Sequence, residues 1–318
     1  MVQSSIKNKQ KSKRDYFIGI ITGSLVTILF IIIIPGISPK FSFRSISPFQ
    51  KKPTPTPDVS KVQMEITKNV IPEKVNLGIS FKNVVVKMVE AGAIDKEKFL
   101  ALYEQRGGLS PDEKELLEAP SDKPIVVTQA NSGLILNLFW PLGIANKTNV
   151  LSEGPMGTQY NKEVSNFAST GGWTIGSKEG GELFNSSQLV PLTPLQEEEV
   201  KVIAQNIYRP CCGNSTYFPD CNHGAAMLGF IELAVSQGLS KEEIYKKALA
   251  LNTYWFPQTY VELGIYFKQK KNIPWNRVDP KELLGVNYSS GQGYGQINKE
   301  LQAGGLLPKV EGGGGCGV

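Results

Sequence analysis

The hydrophobic and polar positions divide the chain into one long apolar run near its start and a series of amphipathic segments after it. Residues 16 to 34, YFIGIITGSLVTILFIIII, carry no charge. At about 1.5 Å per helical residue this run nearly crosses a hydrocarbon core of about 30 Å. It exceeds the usual apolar region of a cleaved signal peptide, which has about 7 to 15 residues. We predict an uncleaved transmembrane signal anchor over 16–35, with a signal peptide cleaved near Gly36 or Ser38 as the alternative.

The two flanks of the apolar run predict its orientation. Residues 1–15 contain five basic side chains before the first acidic one, Asp15. Basic residues stay on the cytoplasmic side of a membrane. The sequence therefore predicts a cytoplasmic tail over 1–15 and a single-pass protein of the cell membrane, with its bulk extracytoplasmic and the lipid bilayer as its partner. Residues 36–60 are rich in proline and predict an extended linker.

Polar–apolar patterning predicts a mainly helical domain over 61–275. Capping motifs, in which Ser or Thr precedes Glu or Gln by three residues, predict helix starts at Ser110, Thr193 and Ser240. A short helix is expected to stop at Gly92 and a new one to start at Asp95. The fold class is all-α or mainly α, following the N-terminal transmembrane helix.

Other segments refine this organisation. The apolar stretch ILNLFWPLG (135–143) is expected to be buried. The glycine-rich stretch from Gly171 to Gly181 predicts one small β-hairpin around Trp173 and Ile175. The domain is divisible into subdomains 61–120 and 121–275. Residues 276–318 form a glycine-rich segment that predicts a mobile tail.

Charge and composition exclude one class of partner. The chain of 318 residues has a formal charge of +5, and the five basic residues before Asp15 account for all of it. The other 29 basic residues equal the 29 acidic residues in number. No single-sign field remains to attract a polyanion, so we predict no nucleic-acid partner.

Candidate chemistry is concentrated in one segment, RPCCGNSTYFPDCNHGAAM. It contains Cys211, Cys212, Cys221 and His223, the last being the only histidine of the chain. Thiols and imidazoles bind soft metals or perform thiol exchange. One helix is expected to end near Tyr208 and the next to open at Cys221. The positive end of that second helix should lower the pKa of the Cys221 thiol.

Three interpretations of the cluster remain open. The first is a structural disulfide between Cys221 and Cys211 or Cys212. The second is a metal site of Cys211, Cys212, Cys221 and His223 for a zinc, copper or iron ion, with Cys316 of the tail as a further ligand. The third is thiol–disulfide exchange, in which Cys221 is the catalytic nucleophile and His223 accepts a proton.

The segment YRPCCGNSTYFPDCNHGAAMLGFIELAVSQGLSKEEIYKKAL carries a resemblance. With FASTGGWTIG and ILNLFWPLGIANKTNVL upstream, it resembles a family of uncharacterised membrane-anchored bacterial proteins over roughly residues 75 to 270. It is also similar, more locally, to the thiol domain of cytochrome c biogenesis proteins and to PCYC-motif proteins. The resemblance to cytochrome c biogenesis proteins implies handling of apocytochrome thiols by a C-x-x-C pair. Cys211 and Cys212 are adjacent, so this chain lacks that motif at the cluster.

The sequence thus predicts a membrane-anchored extracytoplasmic protein whose Cys/His cluster is a metal-binding or thiol-redox site. The alternative is a non-catalytic envelope protein whose cysteines form structural disulfides. Whether the protein is an enzyme stays undecided at this level. Aromatic residues of 252–267, among them Trp255, Phe256 and Tyr260, are expected to pack under the cluster.

Overall fold

The computed structural model describes residues 59–307. This part is mostly helical with one two-stranded antiparallel sheet, which confirms the mainly α class. The predicted tail 1–15, anchor 16–35, most of the linker 36–60 and Cys316 lie outside the described residues. Within 59–307, no helix combines the length and the apolar character needed to cross a membrane.

Fourteen helices and two strands make up residues 59–307. The helices are α1 Val59–Val70, α2 Val84–Glu90, α3 Lys96–Glu104, α4 Pro111–Glu115, α5 Ser132–Ala145, α6 Asn149–Glu153, α7 Gly180–Leu183, α8 Pro194–Asn206, α9 Asn222–Ser236, α10 Lys241–Trp255, α11 Pro257–Tyr266, α12 Pro280–Leu283, α13 Val286–Ser289 and α14 Gly291–Ala303. The strands are β1 Lys74–Lys82 and β2 Ser121–Thr128. Short 3-10 turns cover Val164–Asn166 and Trp275–Arg277, and a π-helical turn covers Phe267–Lys271.

The predicted helix boundaries are confirmed where capping chemistry is the signal. Ser110, Thr193 and Ser240 each accept a hydrogen bond from the backbone N–H three residues on, and the Glu or Gln there bonds back. Asp95 caps α3 in the same way through Lys98 N. Such caps depend only on local sequence, because both partners belong to one turn of chain.

The sheet does not lie where the sequence pattern predicts a hairpin. Strands β1 and β2 pair antiparallel, with Val75 opposite Val127, although three helices separate them along the chain. The stretch around Trp173 and Ile175 forms turns instead, and the Trp173 indole donates to Ala93 O at 2.8 Å. The strands also lie on opposite sides of residue 120, so 61–120 and 121–275 share one sheet and one core.

Helices α5 and α9 form the centre of the core. Every residue of α9 from Gly224 to Val235 is buried. The two helices approach closely because Gly143 and Gly229 face each other: a Cβ on Gly143 would lie 1.8 Å from Ala225 O, and one on Gly229 would lie 2.4 Å from Phe139 O. This contact places the start of α9, and so the Cys/His segment, against the core.

The structure corrects the prediction of a mobile tail beginning at residue 276. Helices α12, α13 and α14 extend the fold to Ala303, and Leu301 and Ile297 are buried. Glu262 accepts hydrogen bonds from Tyr294 Oη and Asn298 Nδ2, both at 2.6 Å. Despite its glycine content, the segment has an apolar pair at helical spacing, Ile297 and Leu301. These side chains and the two hydrogen bonds to Glu262 hold α14 on α11.

Candidate functional site

The candidate site lies in the loop between α8 and α9. Tyr208 and Ser215 form an isolated antiparallel bridge that closes the loop, and Thr216 N donates to Ile207 O at 2.8 Å. The first residue of α14, Gly291, donates its N–H to Cys212 O at 2.7 Å. The loop is therefore tied to the end of α8 and to the start of α14.

The loop brings the predicted site residues together. The Cys211 and Cys221 sulfurs are 3.6 Å apart. Ligand atoms of Cys211, Cys221 and His223 all lie within 4.8 Å of one another, as do those of Cys212, Asp220 and Cys221. Cys221 belongs to both groups and is the centre of the cluster.

A buried arginine organises the cluster. Arg209 is 2% exposed, and its Nε donates to Cys221 Sγ at 3.0 Å. Its Nη1 donates to Asn214 O at 3.2 Å and its Nη2 to Phe218 O at 2.8 Å. Nη2 also forms a short ion pair with Asp220 Oδ1. One guanidinium group thus joins the cysteine at the start of α9 to the whole turn of the loop.

The first turn of α9 leaves the space that this guanidinium needs. A Cβ on Gly224 would lie 2.6 Å from Arg209 Cζ. Cys221 is the N-cap residue of α9, yet its side chain makes no capping hydrogen bond. Its sulfur contacts Arg209 and Cys211 instead of the helix backbone.

Aromatic rings position the histidine. The His223 ring lies 4.4 Å from the Phe256 ring and 6.0 Å from the Trp255 ring, measured between centroids. Tyr260 is fully buried, and its hydroxyl joins a hydrogen-bond network with Asn252 Nδ2 and Ser289 Oγ. The expected packing of aromatic side chains beside the cluster is present, with His223 as its direct contact.

The electrostatics of the cluster favour a thiolate at Cys221. The pKa of Cys221 is held far below its usual range by hydrogen bonds from the Cys211 and Cys212 thiols, and then by the Arg209 guanidinium, against the opposing effect of burial. The pKa of Cys211 is raised by its hydrogen bonds with Cys212 and Cys221 and by burial. The direction predicted for the pKa of Cys221 is found, but neighbouring side chains are its main cause.

Arg209 also decides between the two groups of ligand atoms. In the group of Cys212, Asp220 and Cys221, the guanidinium already supplies the positive charge, because it binds both Asp220 and Cys221. Asp220 is further fixed by Asn214 Nδ2, which donates to its Oδ2 at 2.9 Å. Arg209 contacts the group of Cys211, Cys221 and His223 only through Cys221, whereas it binds two members of the other group. The group with His223 is therefore the better place for a metal ion.

Sequence reasoning misses two residues of this site. The local pattern around Arg209 and Asp220 predicts only a helix end and a helix start. Their only signal is that both lie inside the cysteine segment. No local pattern indicates that the arginine will be buried. Met227, one helical turn beyond His223, is a buried core residue. The three described cysteines, Cys211, Cys212 and Cys221, are free thiols.

No protein-family model matches this chain, and neither curated proteins nor solved structures show a significant match to it. The chemical assignment therefore rests on the arrangement itself. Three thiols, one imidazole and one buried guanidinium meet around Cys221. Such a cluster is suited to binding a metal or to thiol chemistry.

Proposed function

We propose that the chain binds one thiophilic transition-metal ion, zinc, copper or iron, through Cys211, Cys221 and His223, with Cys212 as the fourth ligand. The observation that carries this proposal is the separation of 3.6 Å between the Cys211 and Cys221 sulfurs. Two thiolates bound to one tetrahedral zinc ion at about 2.3 Å lie about 3.8 Å apart. Disulfide-bonded sulfurs, by contrast, are about 2.05 Å apart. The two thiols need little movement to share an ion.

The surroundings of the cluster support a metal ion chemically. Three thiolates and one neutral imidazole around a divalent ion carry one net negative charge. The Arg209 guanidinium, 3.0 Å from Cys221 Sγ, offsets that charge within the protein. The ring of His223 is held by Phe256, so the imidazole loses little freedom when it binds.

The proposed location follows from the sequence outside the described residues. Five basic side chains precede the apolar run 16–34, and a proline-rich segment follows it. We propose that this run anchors the chain in the cell membrane and that residues 59–307 lie on the extracytoplasmic side. The site would then face an environment in which free thiols are exposed to oxidants, where a bound metal protects them.

Elemental analysis combined with a free-thiol count tests the metal proposal. The full-length chain, purified without chelators, is expected to carry one metal ion per molecule. His223→Ala and Cys221→Ser should lose it. Cys316→Ser, a cysteine substitution in the tail, should retain it, because Cys211, Cys221 and His223 already lie together in the loop. A metal-free chain that takes up no added zinc, copper or iron would contradict the proposal.

Thiol–disulfide exchange is the second candidate, and the contact of Cys221 with both Arg209 and Cys211 favours it. A Cys221 thiolate would attack a disulfide RSSR, forming a mixed disulfide and releasing one thiolate, which takes a proton from water. The Cys211 thiol would then lose its proton to water and displace the second thiolate, which is protonated in turn. The products are the Cys211–Cys221 disulfide and two RSH molecules.

The same thiol count separates the two candidates. A metal site predicts that the thiols of Cys211, Cys212 and Cys221 become titratable only after the metal is removed. An exchange site predicts metal-free chains that each reduce one molecule of a small disulfide and release two RSH molecules. This release of two RSH should be lost in both Cys221→Ser and Cys211→Ser.

A further inference from the structure

We propose that the metal is exchangeable, and that it passes to and from other ligands through Cys211. This inference rests on the proposed metal site and specifies how that site would be used. The chain would hold a thiophilic ion for transfer to an acceptor that supplies nitrogen or sulfur donors. It would not hold the ion as a permanent structural support.

The first support is that the cysteines are held unequally. Cys221 opens a helix that is buried almost throughout, and its sulfur accepts a hydrogen bond from the buried Arg209. Cys211 is exposed, whereas Cys212 and Cys221 are only partly exposed. The Cys211 sulfur contacts the sulfur of Cys221, another member of the cluster. Within residues 59–307, no buried charged group fixes the Cys211 side chain in the way that Arg209 fixes Cys221.

The second support is that the other ligands of the cluster are backed by the protein. Aromatic rings of Phe256 and Trp255 lie against His223. The carbonyl of Cys212 accepts a hydrogen bond from Gly291 N. The two backbones lie so close that a Cβ added to Gly291 would be 3.1 Å from Cys212 O. An incoming donor atom therefore reaches the ion most easily on the side of Cys211.

The third support is that the proposed four-ligand site can open at one position. Structural metal sites stay closed by four protein ligands, while sites that react keep a position accessible. Among the three described cysteines, only Cys211 is exposed. A solvent-exposed thiolate provides that position when it leaves the ion. Cys221 and His223 retain the ion during the change, since both are held by neighbours that do not depend on Cys211.

The exchange step is a ligand substitution without a redox change. A nitrogen or sulfur donor of the acceptor forms a bond to the ion while the bond between the ion and Cys211 Sγ breaks. The released thiolate takes a proton from water. Further donors of the acceptor then replace the remaining protein ligands, and the ion leaves with its oxidation state unchanged.

The dependence of metal release on acceptor concentration tests this step. The full-length chain with Cys316→Ser, reduced and loaded with zinc, is mixed with increasing concentrations of the chelator 4-(2-pyridylazo)resorcinol. The release rate is expected to double whenever the chelator concentration is doubled, because the chelator takes part in the slow step. A release rate that stays constant as the chelator increases would overturn the inference, while leaving zinc binding itself established.

Alkylation of the zinc-loaded chain provides a second measurement that needs no further variant. Iodoacetamide followed by mass spectrometry should modify Cys211 about tenfold faster than Cys221, since the exposed ligand leaves the ion first. Cys212 and Cys221 serve as internal controls in the same molecule. Equal rates at Cys211 and Cys221 would overturn the inference. Absence of any zinc binding would instead contradict the proposed function on which it rests.

Discussion

The Arg209 Nε atom donates a hydrogen bond to the Cys221 sulfur at 3.0 Å, inside a loop where the arginine is 2% exposed. The same guanidinium binds Asp220 and two backbone carbonyls. A buried cation with these partners in one loop is costly to remove, because every partner then loses a donor. This relationship connects the stability of the loop with the chemistry of the cysteine.

Arg209→Met is expected to destabilise the protein by about 3 kcal/mol, since Asp220 loses its buried ion pair and the carbonyl of Phe218 loses its guanidinium donor. The measurement is urea denaturation, read as a shift of the midpoint at constant slope. Arg277→Met, at an exposed arginine, is the matched control and should leave the midpoint nearly unchanged. Equal midpoints for the two variants would show that the Arg209 contacts contribute nothing to stability.

Gly224→Ala is expected to cost about 1–3 kcal/mol, because the new methyl group would occupy space held by the Arg209 guanidinium. The displaced arginine should also weaken metal binding, measured by competition with a zinc chelator. Gly295→Ala in α14 is the control: nothing lies within 4 Å of a Cβ there. That change should stabilise the protein by about 0.5–1 kcal/mol through helix propensity. A neutral Gly224→Ala would contradict the close packing.

Gly143→Ala is expected to destabilise the fold by about 3 kcal/mol or more, since its Cβ would meet backbone, which cannot turn aside. The clash is with Ala225 O, just after His223 in the chain, so α9 should shift at its metal-binding end. Thermal unfolding and zinc affinity measure the two effects. Gly133→Ala, on the same helix with open space around it, should weaken neither.

Glu232 predicts a dependence of stability on pH. Burial raises the pKa of this carboxyl well above its usual value of 4.5, with a smaller contribution from the charge of Glu197 and an opposing one from Asn146. In the folded protein its Oε1 has no hydrogen-bond partner among the described residues, and Asn146 Nδ2 donates to Oε2 at 3.1 Å. The folded chain therefore retains a proton that the unfolded chain releases above about pH 4.5.

Because the folded state binds the extra proton, the contribution of Glu232 to stability is lost as the pH rises from about 4.5 to the raised folded pKa. Within that window the loss is about 1.4 kcal/mol per pH unit. Glu232→Gln should remove this slope, so the stability of the variant relative to the unmodified chain should increase with pH. Urea denaturation between about pH 5 and pH 8 measures it. A difference that stays constant with pH would contradict the assignment.

Local signals identify much of the helical framework. The capping motifs at Ser110, Thr193 and Ser240 are correct because both bonded groups lie within one turn. The sheet escapes sequence reasoning because β1 and β2 pair across about forty intervening residues, and no short window of sequence contains both partners. Helix α14 is not predicted from the sequence, because the glycine content of its segment indicates a mobile tail more strongly than the spacing of Ile297 and Leu301 indicates a helix.

The sequence by itself determined which donors were available: four cysteines, one histidine, and the crowding of four of these donors between residues 211 and 223. It also placed Cys221 and His223 at a helix start, since helix termini are read from neighbouring residues. Only the tertiary structure decided that Arg209 is buried against Cys221, that Asp220 is engaged by that arginine, and that Phe256 holds His223. Those contacts arise when α9 packs on α5 and α10 folds back beside it, and such packing depends on shape and burial across the whole chain.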